Sequence, residues 1–377
     1  MKTAAMGIRI CATTVMGLGL MLPVVAGQGI SAATNGPQTN APRIENARVE
    51  NRALAQALAA ELQAFAQQSA RPQWIGYAIP QVVGNREVCC GSHGSWNDGC
   101  GTCRLEDRDH GVNMNTPDAT VKLEHPRELA VLFRTENHKI MKVRIVSPEC
   151  TLDAGGLPFV WLTNVKPAES VAVLTGFVHN QNLEERDDNR MGHEALTAIA
   201  LHDDESANRA LESFIRPTER ESLRKQASFW LGESRGKAGL AMLLQMAKSD
   251  PSSEVRAQVT FALSVSREPA AVDEMIRMAH EDESGHVRGQ ALFWLAQKAG
   301  KKAAGAITAA IENDPDTEVK KKAVFALSQM PKDEGVPKLI QVAQTNHNPA
   351  VRKQAMFWLG QSNDPRALEF FEKVLSQ

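Results

Sequence analysis

The chain has 377 residues, enough for two or more domains, and its 43% hydrophobic and 23% charged residues are typical of globular proteins. Its formal net charge of −2 provides no basic excess that would attract nucleic acid or an anionic membrane surface. The composition therefore favours a globular protein whose partners are not nucleic acids.

Residues 1–33 have the pattern of a secretory signal peptide. Lys2 and Arg9 are followed by a mostly apolar run from Ile10 to Val25, and small residues at 25–27 and 31–33 offer cleavage sites. The alternative is an uncleaved membrane anchor, although about sixteen apolar residues is short for a membrane span. We expect residues 1–33 to be removed on export to the periplasm or the extracellular space, with no stable membrane insertion afterwards.

A polar linker and a helix are predicted next. Residues 34–42 (TNGPQTNAP) have the composition of a disordered spacer. Residues 43–70 contain no Gly and repeat their apolar side chains at helical spacing, so we predict one N-terminal helix. Its apolar face would consist of Leu54, Leu58, Leu62 and Phe65. This face either packs on the helix's own domain or binds a partner.

Residues 71–180 are predicted to form a small β-rich domain, because Gly, Asn and β-branched residues replace the Ala and Leu of the preceding segment. The predicted strands are WIGYAI, ATVKL, ELAVLFRTE and KIMKVRIVS. The last two flank Asn137-His138, a polar break suited to a hairpin. A helix is predicted from Lys166 to about Val178, followed by a charged linker from Asn180 to Arg190.

Five cysteines follow the predicted signal peptide, which itself contains Cys11. In an exported protein we expect disulfides among Cys89, Cys90, Cys100, Cys103 and Cys150, with one thiol left over and the connectivity open. One alternative is a zinc site formed by Cys89, Cys90, Cys100 and Cys103, with or without His93. Another is a redox pair at Cys100 and Cys103.

Asp153-Ala154-Gly155-Gly156 predicts a tight turn between strands. The alternative function for the chain is an enzyme whose site lies in the β-rich domain near Asp153. No nucleophile elbow, phosphate-binding loop, dinucleotide fingerprint or zinc-protease motif occurs in the sequence, so we name no catalytic residue, metal ligand or cofactor.

From residue 191 to residue 377 the sequence repeats with a period of 32. Five phrases start at Leu223, Val255, Val287, Val319 and Val351, and they read LRKQASFWL, VRAQVTFAL, VRGQALFWL, VKKKAVFAL and VRKQAMFWL. A sixth, weaker copy begins near Met191. Apolar residues at phrase offsets 0, 4, 7 and 8 share one helical face, whereas offset 2 points away and should be solvent-exposed. The period predicts six two-helix units stacked into a solenoid.

The V-R-x-x-A phrases, with Asp250-Pro251 and Asp314-Pro315 in the turns before them, resemble HEAT repeats of the short type found in phycobilisome bilin lyases. The fold class expected for the whole chain is therefore α+β, with an all-α HEAT-like solenoid after a small β-rich, cysteine-containing domain. In each turn we expect Asp to cap the next helix and Pro to occupy its first position. The resemblance also implies that the second helices line the concave face, and that bilin-lyase-like activity is an alternative function.

Offset 7 of the phrase alternates Trp230, Ala262, Trp294, Ala326 and Trp358. Since a large ring needs a small neighbour in a close-packed interior, we interpret the alternation as core complementarity. An aromatic binding strip is the alternative.

His193-Glu194 resembles the paired His-Glu motifs with which deoxyhypusine hydroxylases, which are HEAT-like enzymes, bind two iron atoms. The equivalent positions of later units hold no His-Glu pair, so one pair cannot supply a dinuclear ligand set. We expect His193 and Glu194 to be solvent-exposed polar residues, with a metal-dependent hydroxylase as the alternative.

The sequence therefore predicts an exported scaffold that binds a protein or peptide and has no catalysis of its own. Candidate contacts are polar residues of the second helices that avoid the apolar face. They are Gln245, Lys248, Asp273, Arg277, His280, Glu312, Gln341, Gln344 and Lys373. Their mixture of charges and amides suits a protein partner better than nucleic acid.

Overall fold

The computed structural model describes residues 41–82, 88, 99–100, 102–106, 121–122, 127–179, 190–298 and 300–376. Residues 39–377 form one compact unit. The predicted signal peptide and most of both predicted linkers lie outside the described residues. The same holds for Cys89, Cys90 and His93.

Short and long strands occupy the first part of the chain. In the described residues they are β1 (Ile44–Glu45), β2 (Val49–Ala53), β3 (Gln73–Pro80), β4 (Gly99–Cys100), β5 (Cys103–Arg104), β6 (Val121–Lys122), β7 (Glu128–Glu136), β8 (Lys139–Val146), β9 (Leu152–Asp153) and β10 (Phe159–Thr163). The main sheet has the order β2-β10-β3-β7-β8. Strand β10 is parallel to both its neighbours, and β3, β7 and β8 are antiparallel.

The hairpin predicted at Asn137-His138 is confirmed. Both residues have positive φ, 51° and 62°, which is the backbone that a tight two-residue hairpin between twisted strands requires. The predicted strands ELAVLFRTE and KIMKVRIVS correspond to β7 and β8, and WIGYAI lies within β3. Of the predicted strand ATVKL, only β6 lies among the described residues.

Both faces of the main sheet are covered. Successive side chains of a strand point to opposite faces, and each face contributes to a different core. Along β3, Ile75, Tyr77 and Ile79 belong to a core shared with the helices. Trp74 and Ala78, on the opposite face, belong to a second core with Cys103, Cys150, Leu152 and Trp161. The sheet therefore joins the helical part of the chain to the cysteine-containing segments.

The predicted N-terminal helix over residues 43–70 is wrong in its first half. Only Leu58–Gln68 forms a helix, α1, and the residues before it form β1 and β2. Strand β2 pairs with β10 along its whole length, from Val49↔Phe159 to Ala53↔Thr163. Local helix propensity is a weak preference that this pairing overrides. Of the predicted apolar face, Leu58, Leu62 and Phe65 are buried on the sheet and Leu54 is partly buried.

Helix α2 (Pro167–His179) confirms the helix predicted there. The remaining helices follow it along the chain. In the described residues they are α3 (Arg190–Leu201), α4 (Glu205–Phe214), α5 (Glu221–Ser234), α6 (Gly236–Ser249), α7 (Ser253–Val265), α8 (Ala270–Glu281), α9 (Gly285–Lys298), α10 (Gly300–Asn313), α11 (Thr317–Ser328), α12 (Lys332–Thr345), α13 (Pro349–Gln361) and α14 (Pro365–Leu375). They form six successive pairs, and α5, α7, α9, α11 and α13 contain the five repeated phrases.

The apolar face of the phrase is buried as predicted. In α7, Val255, Val259, Ala262 and Leu263 are inaccessible to solvent. Offset 2 differs from its prediction, because Ala257 and Gly289 are buried and only Lys353 is exposed. A Cβ on Gly289 would overlap the side chain of Lys322, so the first helix of the following unit covers this position.

The turns between units differ from the predicted Asp-Pro cap. Helix α7 is capped by the side chain of Ser252, two residues after Asp250, and α11 is capped by Asp316, two residues after Asp314. The Asp250 carboxylate instead receives both Nε and Nη2 of Arg224, at 2.9 and 3.1 Å, and its Oδ1 also accepts the Ser252 N–H. This aspartate therefore ties the turn to the preceding first helix.

The same ion pair recurs in the next two units, at the same spacing along the chain. Arg256 binds Asp282 at 2.9 and 3.0 Å, and Arg288 binds Asp314 at 2.7 and 2.9 Å. We call these three buried pairs the Arg–Asp row. Because each arginine is on a first helix and each aspartate follows the second helix of the same unit, the row fixes the angle between the two helices.

Candidate protein-binding surface

The polar residues predicted as partner contacts lie on the second helices. Eight of them are exposed: Gln245, Lys248, Asp273, His280, Glu312, Gln341, Gln344 and Lys373. Arg277 is half-buried and paired with Glu274 and Glu281 on its own helix. Asp273 pairs with Lys302 of the following unit at 2.5 Å. The nine residues are available on the surface, and their contact with a partner stays a prediction.

A second surface feature was missed in the sequence. Offset 6 of the phrase is Phe in all five copies, directly before the alternating Trp/Ala position. We call the eight rings at these two offsets the aromatic row: Phe229, Trp230, Phe261, Phe293, Trp294, Phe325, Phe357 and Trp358. The signal in the sequence was the Phe that recurs at offset 6 in all five phrases.

The rings of the aromatic row touch one another in an unbroken series. Phe229 stacks on Phe261 with centroids 5.8 Å apart and an interplanar angle of 13°. Phe261 then contacts Trp294 at 4.7 Å. The same pattern repeats two units later, since Phe293 stacks on Phe325 at 5.9 Å and Phe325 contacts Trp358 at 4.9 Å. Edge-to-face contacts within each adjacent Phe-Trp pair connect these contacts into one continuous series.

The aromatic row is not fully buried. Trp230 is 8% exposed, Phe357 is 53% exposed, and the other six rings are half-buried. In contrast, the small residues that alternate with the tryptophans, Ala262 and Ala326, are inaccessible. The predicted core complementarity therefore describes the alanine positions and Trp230, whereas the row as a whole is partly exposed to solvent.

A cavity of about 200 Å³ opens beside the C-terminal end of the aromatic row. Its apolar walls are Met330, Val336, Leu339 and Trp358, and Gln361 is among its polar residues. The cavity lies between the fifth and sixth units, at the turn between α11 and α12. Its lining thus combines apolar walls with a few polar groups.

The sequence predicted that His193 and Glu194 would both be solvent-exposed, and this prediction is wrong. Glu194 is only 6% exposed and His193 is half-buried, because α3 is packed between α2, the sheet and α5. The carbonyl of His193 accepts the Thr197 hydroxyl at 2.8 Å. Within the described ranges, no three His, Cys, Asp or Glu side chains are grouped as a metal site would need.

A buried Ser-His contact was also missed in the sequence. His202 Nε2 lies 2.8 Å from Ser170 Oγ, which lies 2.8 Å from Tyr77 Oη. His202 Nδ1 lies 2.6 Å from the Ala198 carbonyl and must carry the hydrogen, so Nε2 accepts from Ser170 and Ser170 accepts from Tyr77. All three side chains are inaccessible to solvent. These hydrogen bonds therefore join β3, α2 and the end of α3. A substrate could not reach the buried Ser170 hydroxyl.

Carboxylates near Asp153 have structural partners. Asp153 Oδ1 accepts the Gly155 N–H at 2.9 Å in the predicted turn, where Gly155 and Gly156 have positive φ. Glu106, beside Gly155, accepts the Trp74 indole N–H at 2.8 Å and pairs with Arg134 at 3.0 Å. These contacts hold the second core together, so this region gives the enzyme alternative no support.

Two of the five predicted half-cystines lie among the described side chains. Cys103 and Cys150 are buried in the second core. Their backbones are close, since the Cys103 N–H donates to the Thr151 carbonyl at 2.8 Å. Cys89 and Cys90, and the side chain of Cys100, lie outside the described residues, so the predicted pairing stays a prediction.

In the described part of the chain, no helix is both long enough and apolar enough to cross a membrane.

Comparisons with known proteins address the helical half. The family model of HEAT repeats matches residues 208–296 and 303–377. No curated protein matches by sequence.

Three solved structures illustrate the structural similarity. The complex of CpcE and CpcF of phycocyanin lyase from Nostoc sp. PCC7120 is 21% identical, covers 41% of this chain and 99% of that chain, and has a TM-score of 0.33. Human deoxyhypusine hydroxylase in complex with glycerol is 18% identical over 56% of this chain and 84% of that chain, with a TM-score of 0.24. A Kap95p–RanGDP structure is 16% identical over 56% of this chain and 32% of that chain, with a TM-score of 0.36. With TM-scores this low, these similarities indicate no functional site in this chain.

The matched residues extend from within α4 through α14, apart from residues 297–302, and they include all five repeated phrases. The C-terminal half of this chain is a solenoid of HEAT repeats.

Proposed function

We propose that this chain is an exported scaffold whose solenoid binds a protein or peptide partner. The observation that carries the proposal is the aromatic row, eight rings in continuous contact along five first helices. HEAT repeats are consistent with such a role, because stacked units present an extended surface.

The physical argument rests on how the rings are held. Aromatic side chains offer a large apolar contact area with only two rotatable bonds, so little conformational entropy is lost when a partner covers them. Each ring in the row is already fixed by contacts with its neighbours, which lowers this cost further. The cavity beside Trp358 would accept one side chain of the partner, as an anchor at the end of the row.

The exposed polar residues of the second helices are proposed as additional contacts. They include both signs of charge, as in Lys248 and Glu312, together with the amides of Gln341 and Gln344. A mixed polar surface of this kind is typical of the rim of a protein–protein interface, whereas a nucleic-acid surface would be consistently basic.

Site-specific photo-crosslinking in the native host tests the proposal. A benzophenone amino acid placed at Phe325 or Phe357, or at Gln341 for the second helices, should form a discrete adduct with one partner. The matched control is Met141, which is apolar and 46% exposed on β8, outside both the aromatic row and the second helices. The same adduct at Met141, or none at any repeat position, would contradict the proposal.

The affinity of an identified partner gives a second measurement. Phe357→Ala should weaken binding by about 2 kcal/mol, the usual size of a hot-spot truncation. The unfolding midpoint should change little, because Phe357 is 53% exposed. Met141→Ala should leave both quantities unchanged.

Export is the second part of the proposal, supported by the signal-peptide pattern of residues 1–33 and by the cysteine content. The burial of Cys103 and Cys150 in one core fits a crosslinked segment. Cell fractionation with intact-mass analysis should find a periplasmic or extracellular chain that lacks the leader. Alkylation without reduction should modify one cysteine per chain or none, whereas five alkylated thiols with stoichiometric zinc would favour the metal alternative.

A further inference from the structure

A cationic side chain connects the first and second units of the solenoid. Arg235, directly after α5, donates from Nη1 to the carbonyls of Ala200 and His202, at 3.3 and 2.7 Å. These carbonyls lie at the C-terminal end of α3, where carbonyl groups lack partners within the helix and a positive charge is favoured. The other edge of the guanidinium, Nε and Nη2, binds the side-chain oxygen of Asn208 at 2.9 and 2.6 Å.

A lysine makes the same connection between the third and fourth units. Lys298, the last residue of α9, donates from Nζ to the carbonyls of Ser264, at 2.6 Å, and Ser266. These two acceptors lie 64 positions after Ala200 and His202, so they are the equivalent residues of their unit. A cation from the following first helix therefore binds the same pair of carbonyls at both junctions.

The equivalent junction between the fifth and sixth units contains the cavity instead of a cation. The carbonyl residues there are Ser328 and Met330, and both line the cavity of about 200 Å³. The positions of the two cations hold Ser362 and Asn363. Ser362 also lines the cavity, and its hydroxyl donates to the Leu359 carbonyl of its own helix at 2.7 Å. This junction thus retains the place of the cation without supplying one.

We propose that a lysine side chain of the partner fills this cavity and binds the carbonyls of Ser328 and Met330. An ammonium group has three donors, which is enough for both carbonyls. The methylene stem would lie against the apolar walls formed by Val336, Leu339 and Trp358. The proposal rests on the proposed function, because it specifies the side chain that anchors the partner at the end of the aromatic row.

The lining of the cavity favours lysine over arginine. The outer edge of Arg235 depends on Asn208 as its acceptor. The equivalent residue is Val272 in the junction that holds Lys298, and Val336 in the cavity. Because valine has no acceptor, a guanidinium in the cavity would leave donors of its planar fork without a protein partner. The cavity therefore matches the junction that uses a lysine.

One charge beside the cavity opposes the binding of a cation. Lys332 is among the lining residues and is exposed, whereas the equivalent residue in the junction of Lys298 is Glu268. Like charges repel, so Lys332 weakens the binding of an ammonium group. Lys332→Glu restores the residue type found beside Lys298 and should tighten that binding.

The test uses the full-length chain labelled with ¹³C-methyl methionine, since Met330 lines the cavity. The probes are n-butylammonium, n-propylguanidinium and 1-butanol, which represent a lysine side chain, an arginine side chain and a neutral group of similar length. Titration with n-butylammonium should shift the Met330 methyl signal, with a dissociation constant at least about 10-fold below that of either other probe. Equal affinity for 1-butanol would overturn the proposal, because the cavity would then recognise the stem alone.

Ser362→Lys supplies the missing side chain from within the chain. It should weaken the binding of n-butylammonium by at least about 10-fold, whereas the matched control Ser362→Ala should bind as the unchanged chain does. Lys332→Glu should bind more tightly than the unchanged chain. Circular dichroism checks that all three variants are folded. Undiminished binding in Ser362→Lys, or weaker binding in Lys332→Glu, would overturn the proposal.

The outcomes also separate this proposal from the proposed function. Phe325 and Phe357 carry the photo-crosslinkers and do not belong to the cavity lining. A partner adduct at these residues in a chain that does not bind n-butylammonium would overturn the lysine proposal alone. Binding of n-butylammonium in a chain that forms no adduct would contradict the proposed function alone.

Discussion

A natural break in the Arg–Asp row shows how its residues depend on one another. In the unit that begins at Val319, the arginine is replaced by Lys320 and the equivalent aspartate by Asn346. Lys320 donates instead to the Glu312 carbonyl at 2.8 Å, and Asn346 keeps only the contact with the next turn, accepting the Asn348 N–H at 3.0 Å. Both members of the pair have changed, as expected if either alone would leave a buried charge without its partner.

This dependence predicts the effect of single changes in the row. Asp314→Asn should destabilise the chain by about 3 kcal/mol, because it removes the carboxylate that both Nε and Nη2 of the buried Arg288 guanidinium bind. Arg288→Lys combined with Asp314→Asn reproduces the natural Lys320/Asn346 combination and should cost less than the two single changes added together. Urea unfolding of all four proteins measures the coupling, and strictly additive costs would show that the pair does not act as a unit.

The buried histidine makes the stability of the fold depend on pH. Burial lowers the pKa of His202 from 6.5 to about 4, with Asp204 opposing and Arg235 reinforcing the shift. Between these values the unfolded chain binds a proton that the folded chain does not. The contribution of His202 is therefore complete above about pH 6.5 and is lost as the pH falls towards 4, by about 3 kcal/mol in total.

The measurement is the free energy of unfolding at several pH values, compared with His202→Gln. The glutamine amide can still donate to Ala198 and accept from Ser170, but it does not titrate. The variant should lose stability less steeply between about pH 6.5 and pH 4. Parallel profiles for the two proteins would show that His202 is already accessible to protons in the folded state.

At the scale of helices, contact between successive first helices is controlled by one small residue at offset 9 of the phrase. At Gly232 an added Cβ would overlap the carbonyl oxygen of Ala262 in the next unit. At Gly360, the equivalent position of the last unit, an added Cβ meets nothing within 4 Å. The same residue type is thus required for packing in one helix and not in the other.

These two glycines form a matched pair of substitutions. Gly232→Ala should destabilise the chain by about 1–3 kcal/mol, since α5 and α7 must move apart. Gly360→Ala should be neutral or stabilising by up to about 1 kcal/mol, because alanine is the better helix former. Thermal unfolding distinguishes them, and equal effects in the two variants would contradict close packing of α5 on α7.

For the whole molecule, the sheet and the solenoid share one continuous core that extends from Leu58 in α1 to Phe370 in α14. The core thins at its C-terminal end. Helix α12 buries four side chains, those of Val336, Leu339, Val342 and Ala343, whereas α14 buries only Ala367 and Phe370. In a linear stack each unit is stabilised by burial against its neighbours, so a helix that buries fewer side chains opens more easily.

Hydrogen exchange should reveal this gradient. Amides of α14 should exchange faster than those of α12, because α14 buries fewer side chains. Amides of β3 and β7, in the middle of the sheet, should exchange slowest. Mass spectrometry of peptic peptides resolves the three regions. Equal protection of α12 and α14 would show that α14 is not held more weakly than α12.

The sequence by itself determined the repeats, because each unit places its apolar positions at the period of a helix and the units follow one another at a fixed interval along the chain. It also determined the β7–β8 hairpin, whose Asn137-His138 turn is a local signal. The tertiary structure alone decided that residues 49–53 join the sheet beside β10, and that Tyr77, Ser170 and His202 meet. These contacts join segments that lie far apart in the sequence, so their energy belongs to pairs of distant segments that no local pattern records.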